Sequence, residues 1–248
     1  MLRILIRSIC LSGWFFVVDA AAAGNVDATC AAIEKHFARN DLDALAALEV
    51  EEPQWAALQQ FRLAAAYIPA DDRKKAVAAI REGLQVVSAE LKADKNQVEM
   101  LIMGAMLDGQ YLLLQPWRFF WNGRRGLSRI GRAERLDPEN PRIALVRGTA
   151  KFILPRILGG SASEAELMFK AALDQERLPG TSFKETSICE AGEWGQVDIM
   201  NWLARAYSKQ GDARSSEMTF QQALTYSPGN YWVELAIKGE GYEWTQEP

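Results

Sequence analysis

The sequence predicts an all-α protein, a solenoid of antiparallel helix pairs. Apolar residues recur at helical spacing along most of the chain, and the alternation typical of strands is scarce. Small and aromatic residues also return at a period of about 34 residues. One helix pair cannot bury its apolar face alone, so we expect units of this period to stack on one another.

Composition and charge narrow the functional classes. The 248 residues are 49% hydrophobic and 24% charged, as in ordinary globular proteins, and the net charge of −4 argues against a general nucleic-acid binder. His36 is the only histidine, which excludes a multi-histidine metal site. The sequence contains no Gly-x-Ser-x-Gly nucleophile turn, phosphate-binding loop or paired-cysteine metal motif. We therefore expect neither catalysis nor a cofactor.

Residues 1–23 have the pattern of a secretory signal peptide. Arg3 and Arg7 precede a short apolar stretch, and a run of four alanines ends at Ala23. The apolar stretch, of about 10 residues, is too short for a span of roughly 20. The pattern predicts cleavage after Ala22 or Ala23 and export to the periplasm.

Export affects the interpretation of the two cysteines that remain, Cys30 and Cys189. An oxidising compartment favours a disulfide between them. Spacing in the sequence does not decide whether their Cα atoms come close enough, so a disulfide and two unpaired thiols both stay open.

Residues 24–56 predict a short N-terminal helix pair that is split near Asn40. The first full unit is 57–90, and its repeat positions are Leu63, Ala64, Tyr67, Ala76, Ile80, Gly83 and Leu84. The inner face of this unit is apolar and consists of Leu58, Phe61, Ala65 and Ile68. Either this face grips an apolar ligand, or the N-terminal helix pair covers it; we favour the second, because exposed apolar patches of this size are uncommon.

Two further units, 96–140 and 141–178, are predicted in the middle of the chain. The first has a long opening helix and places Ala133 and Pro138 at repeat positions. The second places Gly148 and Phe169 at repeat positions, provided that residues 153–160 form an insertion between its two helices.

The unit 197–230 has the fullest set of repeat positions: Leu203, Ala204, Tyr207, Gly211, Ser216, Phe220, Ala223, Leu224 and Pro228. Small residues let two antiparallel helices approach, and the large ones fill the space between them. Gly211 suits a left-handed helix end, and Pro228 closes the second helix. Residues 231–248 predict a C-terminal capping helix and tail.

These positions resemble the tetratricopeptide repeat (TPR), whose pattern places small, aromatic, glycine and proline residues at the same offsets. The chain resembles in particular TPR proteins exported to the bacterial periplasm. The resemblance implies a non-catalytic interaction or scaffold module of the cell envelope. More distantly, the chain resembles the T-component of TRAP-type transporters, which implies an accessory subunit of a small-molecule transporter as the alternative function.

One candidate binding site lies on the first helix of the last unit. Asn201, Arg205 and Lys209 follow one another at i, i+4 and i+8 and therefore share a helix face. Some TPR domains use Asn, Arg and Lys in this way to bind the carboxylate of a peptide. The resemblance thus implies a protein or peptide partner at these three residues.

A second candidate is the aromatic and basic stretch that begins at Pro116. From Arg118 to Arg156 ten basic residues stand against three acidic ones, a local charge of +7. Such a surface suits an acidic partner, a second copy of the chain in a homo-oligomer, or the surface of an anionic membrane bound peripherally. The opposing interpretation packs the aromatic residues between repeats and leaves the arginines in solvent. The candidate residues are Trp117, Arg118, Trp121, Arg125, Arg129 and Arg132.

Overall fold

The computed structural model describes residues 20–118, 122–175 and 195–239, and within these ranges the regular structure is helical, without a strand. The α-helices in chain order are α1 (Ala20–Ala38), α2 (Leu42–Ala47), α3 (Pro53–Tyr67), α4 (Arg73–Ala93), α5 (Val98–Leu114), α6 (Arg124–Leu136), α7 (Pro141–Ile153), α8 (Ala162–Gln175), α9 (Gln196–Lys209), α10 (Ala213–Tyr226) and α11 (Tyr231–Ile237).

Short polar side chains start many of these helices. Asp72 accepts a hydrogen bond from the backbone N–H of Lys75 at 3.1 Å, and Asp212 accepts one from that of Ser215 at 3.0 Å. Asn140 caps α7 in the same way. These caps provide hydrogen-bond acceptors for amides that the first helical turn leaves without a partner. The starts of these helices are therefore predictable from the polar residues just before them.

The helices pack as consecutive pairs: α3 with α4, α5 with α6, α7 with α8, and α9 with α10. The first helices of neighbouring pairs also touch, α3 with α5, α5 with α7, and α7 with α9, and so form an inner row. This arrangement confirms the predicted all-α solenoid of antiparallel helix pairs. The pair α3–α4 extends beyond the predicted unit 57–90 at both ends, and α11 packs on α9 and α10.

Close approach within pairs depends on small residues. A Cβ added to Gly148 on α7 would lie 2.5 Å from the ring of Phe169, which is fully buried on α8. In the last pair Ala204 and Phe220 lie in one buried cluster, and Gly211 takes a φ of +84° at the end of α9. The TPR positions in the sequence therefore perform the packing roles predicted for them.

The insertion in the unit 141–178 is the connection between α7 and α8. A short 3-10 helix, Arg156–Leu158, is followed by Gly159 at φ +87°. The next residue, Gly160, lies so close to the carbonyl of Leu154 that a Cβ there would be 1.6 Å from its oxygen. The two glycines fold the inserted residues back onto the end of α7.

The N-terminal helices α1 and α2 both pack on α3. Of the predicted apolar face on α3, Leu58, Phe61 and Ala65 are buried and Ile68 is half-buried. Gln59 holds α2 against α3 by donating to the backbone oxygens of Leu45 at 2.7 Å and Leu48 at 3.0 Å. This burial argues against a face open to an apolar ligand, and its coverage by the N-terminal helices stays a prediction.

Residues 1–19, most of the predicted signal peptide, lie outside the described residues, as does the tail 240–248. Among the helices that are described, none combines the length and the apolar character needed to cross a bilayer.

Candidate functional site

The inner face of α9 carries the three residues predicted to bind a partner. Asn201 and Arg205 are half-buried, and Lys209 is exposed. The Nε of Arg205 donates to Oδ1 of Asn201 at 3.2 Å, so the two side chains orient each other. The structure thus brings the predicted residues together on one surface, as their helical spacing indicated.

Two aromatic residues lie beneath these cations. The ring of Phe152, from the end of α7, lies 5.0 Å from the Nζ of Lys209. The ring of Trp202 lies 5.8 Å from the guanidinium carbon of Arg205. The two rings meet edge to face, with their centroids 5.5 Å apart. We call Phe152, Asn201, Trp202, Arg205 and Lys209 together the α9 cationic surface.

This surface combines two binding properties. The exposed Lys209 can form a charge-assisted hydrogen bond with a carboxylate, and the half-buried ring of Trp202 offers an apolar area beside it, whereas Phe152 is buried. The sequence analysis missed Phe152 and Trp202. Trp202 is adjacent to Asn201 and could have been found from helical spacing, whereas Phe152 comes from another helix and left no local signal.

Beside this surface, a buried ion-pair cluster joins three helices. Arg62 on α3 donates to both carboxylate oxygens of Glu34 on α1, at 2.9 and 2.8 Å. It also donates to both oxygens of Asp198 on α9, at 2.9 and 2.7 Å. The side chain of Arg62 is 3% exposed and its guanidinium lies 4.5 Å from the ring of Phe37.

The carboxylates of Glu34 and Asp198 stabilise the charged form of Arg62. Burial alone would lower the pKa of this guanidinium, but the carboxylates of Asp198 and Glu34 outweigh it and raise the pKa above its ordinary value. A residue so enclosed stabilises the fold rather than contacting a partner. Sequence analysis missed this cluster, although one signal was present: Arg62 is the only charged residue in α3.

A second contact in the same region joins α11 to α1. The indole N–H of Trp232 on α11 donates to the backbone oxygen of Phe37 at 2.8 Å, and the two rings stack with centroids 5.2 Å apart. The cleft between α1, α3, α9 and α11 has a cavity volume of about 20 Å³, room for about one water molecule. Asn201 lines this cleft.

The predicted aromatic and basic stretch divides into parts with different surroundings. Trp117 is 67% exposed in the 3-10 turn Pro116–Arg118, to which Arg118 also belongs. Trp121 lies outside the described residues. The docking role of these three residues stays a prediction.

The arginines of α6 are partly used inside the protein. Asp108 on α5 is fully buried and accepts hydrogen bonds from the Nε of Arg125 at 2.9 Å and from the Nη1 of Arg129 at 2.6 Å. Burial lowers the pKa of Arg129 against the opposing charge of Asp108, and Arg125 lowers it further. Arg132 donates to Oδ1 of Asn96 at 2.8 Å.

Two chemical possibilities raised by the sequence concern histidine and cysteine. His36 lies with its Nδ1 3.4 Å from Oδ2 of Asp41, at the turn between α1 and α2. Within the described ranges, no group of three or more His, Cys, Asp or Glu residues is placed to hold a metal ion. Cys30 is buried and disulfide-bonded. Its pairing with Cys189, which lies outside the described residues, stays a prediction.

Comparison with known proteins gives likeness in structure only. No protein-family model and no curated protein sequence matches the chain. The HusA haemophore from Porphyromonas gingivalis superposes with a TM-score of 0.53 at 17% identity, over 77% of this chain and 94% of the haemophore. The thermophilic TPR protein TTC0263 from Thermus thermophilus superposes with a TM-score of 0.47 at 17% identity, over 88% and 92% of the two chains.

At such identities a structural likeness concerns the fold and leaves activity open. The structure of the chain itself also indicates a repeat fold. Its helix pairs stack on one another, and the last pair packs through the repeat positions Ala204, Gly211 and Phe220. The chain is therefore similar in fold to helical-repeat proteins, and its resemblance to tetratricopeptide-repeat proteins is confirmed.

Proposed function

We propose that this protein is a non-catalytic protein–protein interaction module of the bacterial cell envelope. The observation that carries the proposal is the α9 cationic surface, in which two cationic side chains lie over two aromatic rings at the inner side of a helical solenoid. TPR-like solenoids generally use such surfaces for binding, since their stacked helices present an extended concave face.

The chemistry of the α9 cationic surface indicates the kind of partner. Lys209 is exposed and can approach a carboxylate, and Arg205, which Asn201 orients, adds positive charge beside it. The half-buried ring of Trp202 suits an apolar side chain next to that carboxylate. The partner is thus an acidic peptide or protein segment with an apolar residue beside its carboxylate.

Location in the envelope rests on two supports. The N-terminal pattern of residues 1–23 predicts export. The disulfide-bonded state of Cys30 fits an oxidising compartment, where disulfides persist. Detection of the protein in the fraction released by osmotic shock tests this part of the proposal.

Catalysis is not part of the proposal. The sole histidine, His36, lies with its Nδ1 3.4 Å from a carboxylate oxygen of Asp41 at a helix end, and the sequence around it has no motif of a catalytic triad. The alternative function, an accessory subunit of a small-molecule transporter, stays a prediction. It would be favoured by a small ligand that co-purifies with the protein.

The interaction surface is tested by charge reversal. The protein carrying Arg205→Glu and Lys209→Glu is used as bait in the envelope fraction, beside the unchanged protein. The matched control is Lys92→Glu with Lys95→Glu, an exposed pair at the end of α4 that undergoes the same change of charge. We expect the α9 variant to lose its partner and the α4 variant to retain it.

The single variant Lys209→Glu is added in case the double variant fails to fold. We expect it to fold, because Lys209 is exposed and its described contact is the one with Phe152. All variants are compared by thermal unfolding first. Equal capture by the α9 and α4 variants, with both folded, would remove the α9 cationic surface from the proposal.

A further inference from the structure

Acidic and basic residues that share one stretch of the sequence, from Arg118 to Arg156, lie at different edges of the solenoid in the structure. The connections α5–α6 and α7–α8 both follow the inner helix of a pair, and α5 packs beside α7. Both connections therefore lie side by side at one edge of the solenoid. We call residues 115–118, 122–127 and 154–161 the turn edge.

No acidic residue occurs anywhere in 115–132 or 141–163. The three acidic residues of the basic stretch, Glu134, Asp137 and Glu139, lie in the last turn of α6 and in its connection to α7, at the opposite edge. The turn edge therefore has a charge of +4 from four arginines and contains no acidic residue of its own.

Arginines at the turn edge are available to an outside partner. Arg124 and Arg156 are exposed, and neither has a carboxylate partner among the described residues. Glu164, in the first turn of α8, is paired with Lys151 at 2.6 Å. Two guanidinium groups on neighbouring connections therefore face solvent without local compensation.

Large apolar side chains protrude between these arginines. Ile157 is 92% exposed, Leu158 is 54% exposed, and Trp117 is 67% exposed. Leu127, in the first turn of α6, is 64% exposed. The described residues leave these four side chains in water. Burying them against a partner would remove apolar surface from water, which favours association.

The neighbouring connections do not share this character. The α3–α4 connection carries Asp71 and Asp72 before the basic first turn of α4, and the α9–α10 connection carries Asp212 before Arg214. Among the described connections at this edge, the two central ones combine basic residues with exposed large apolar side chains and contain no acidic residue, which is the pattern of a surface with a defined partner.

We infer that the turn edge docks on an anionic lipid surface, with Ile157, Leu158 and Trp117 inserting at the headgroup level and Arg124 and Arg156 binding lipid phosphates. Loop tips that protrude can enter a fluid interface, which needs no preformed groove to receive them. Tryptophan is the residue that membrane interfaces favour, and apolar insertion together with basic charge supplies the two contributions that peripheral binding requires.

The test measures binding of the full chain to vesicles by co-sedimentation. One set contains phosphatidylcholine alone, and the other contains equal parts of phosphatidylglycerol and phosphatidylcholine. We expect binding to the anionic set only, with release by high salt. Arg124→Ala with Arg156→Ala should lower the partition constant by roughly fivefold for each arginine removed.

The apolar contribution has its own variant. Ile157→Ser with Leu158→Ser should lower the partition constant on anionic vesicles at least about tenfold, since two inserted side chains are removed. The matched control is Leu167→Ser with Met218→Ser, two exposed residues on α8 and α10 outside the turn edge, and should bind like the unchanged protein. All proteins share one N-terminus, so any contribution of residues 1–19 cancels.

Three outcomes would overturn the inference. The first is no binding to anionic vesicles at low salt. The second is equal loss of binding in the Ile157/Leu158 variant and in the control. The third is loss with the arginine variant but none with the Ile157/Leu158 variant, because the turn edge would then be a general anion site of the kind an acidic protein partner would fit.

Discussion

Arg62 on α3 and Asp198 on α9 are joined by two hydrogen bonds of 2.9 and 2.7 Å across 136 positions of sequence. The same guanidinium holds Glu34 on α1, so one buried cation connects the first, third and ninth helices. Trp232 adds a parallel connection from α11 to Phe37. The N-terminal helix is thereby held against both ends of the solenoid.

Replacement of Arg62 by methionine should lower the free energy of unfolding by about 3–5 kcal/mol. The substitution leaves the carboxylates of Glu34 and Asp198 facing each other without the cation that compensates them. Urea denaturation at neutral pH measures the difference from the unchanged protein.

The control for this prediction removes the repulsion as well. Arg62→Met combined with Glu34→Gln and Asp198→Asn should regain part of the lost stability, because neutral amides tolerate burial better than unpaired carboxylates. A loss below about 1 kcal/mol for Arg62→Met alone would show that the cluster contributes little, as an exposed ion pair would.

Gly148→Ala should destabilise the protein by about 1–3 kcal/mol. The added Cβ would lie 2.5 Å from the ring of Phe169, which is fully buried and has no room to shift. This steric cost exceeds the gain of about 1 kcal/mol that alanine brings to a helix interior. Thermal and urea unfolding both measure it.

Gly131→Ala on α6 is the matched substitution. The nearest atom to its added Cβ would be Nη1 of Arg135 at 3.8 Å, an ordinary contact. We expect this variant to gain about 0.5–1 kcal/mol from helix propensity alone. Opposite signs for the two glycines support the packing of α7 on α8; equal signs would contradict it.

Glu166→Gln should reduce stability at neutral pH and have no effect in acid. Lys170 donates to Glu166 at 2.6 Å and Gln210 donates to it at 2.8 Å, and these hydrogen bonds lower the pKa of this carboxyl below its usual value. A lowered pKa in the folded state adds stability above the unfolded value of about 4.3. That stability is lost as the pH falls through the folded value.

The measurement compares melting temperatures of the two proteins across a pH series. Their difference should be largest near neutral pH, shrink as the pH falls below the unfolded value of about 4.3, and vanish once the pH is below the lowered folded value. Glu82→Gln, an exposed carboxylate on α4 without a hydrogen-bond partner among the described residues, should give no pH-dependent difference. A constant difference at every pH would assign the effect of Glu166→Gln to packing.

Most of the fold was predictable because its signals are local. The Asp and Asn caps act over two or three residues, and Gly211 ends α9 in the left-handed conformation that its position in the repeat required. Gly148 and Phe169 were predicted to occupy repeat positions on the two sides of an insertion, and the structure shows that they pack against each other.

The candidate site was predictable only along one helix. Asn201, Arg205 and Lys209 share a face by helical period, but Phe152 joins them from α7. Arg125 and Arg129 were predicted to face a partner together; the structure directs both toward Asp108, and their docking role stays a prediction. A surface arginine and one that reaches a buried carboxylate look alike in a helical pattern.

By itself, the sequence determined the helices, their ends and their pairing, because hydrogen-bond caps, helical periodicity and small-to-large packing all act between near neighbours. Only the tertiary structure decided which distant groups meet. The partners of Arg62 and the separation of acidic from basic residues at the two edges depend on how pairs stack and where the N-terminal helix lies. Coulomb and packing energies depend on distances in space, and those distances exist only once the solenoid has formed.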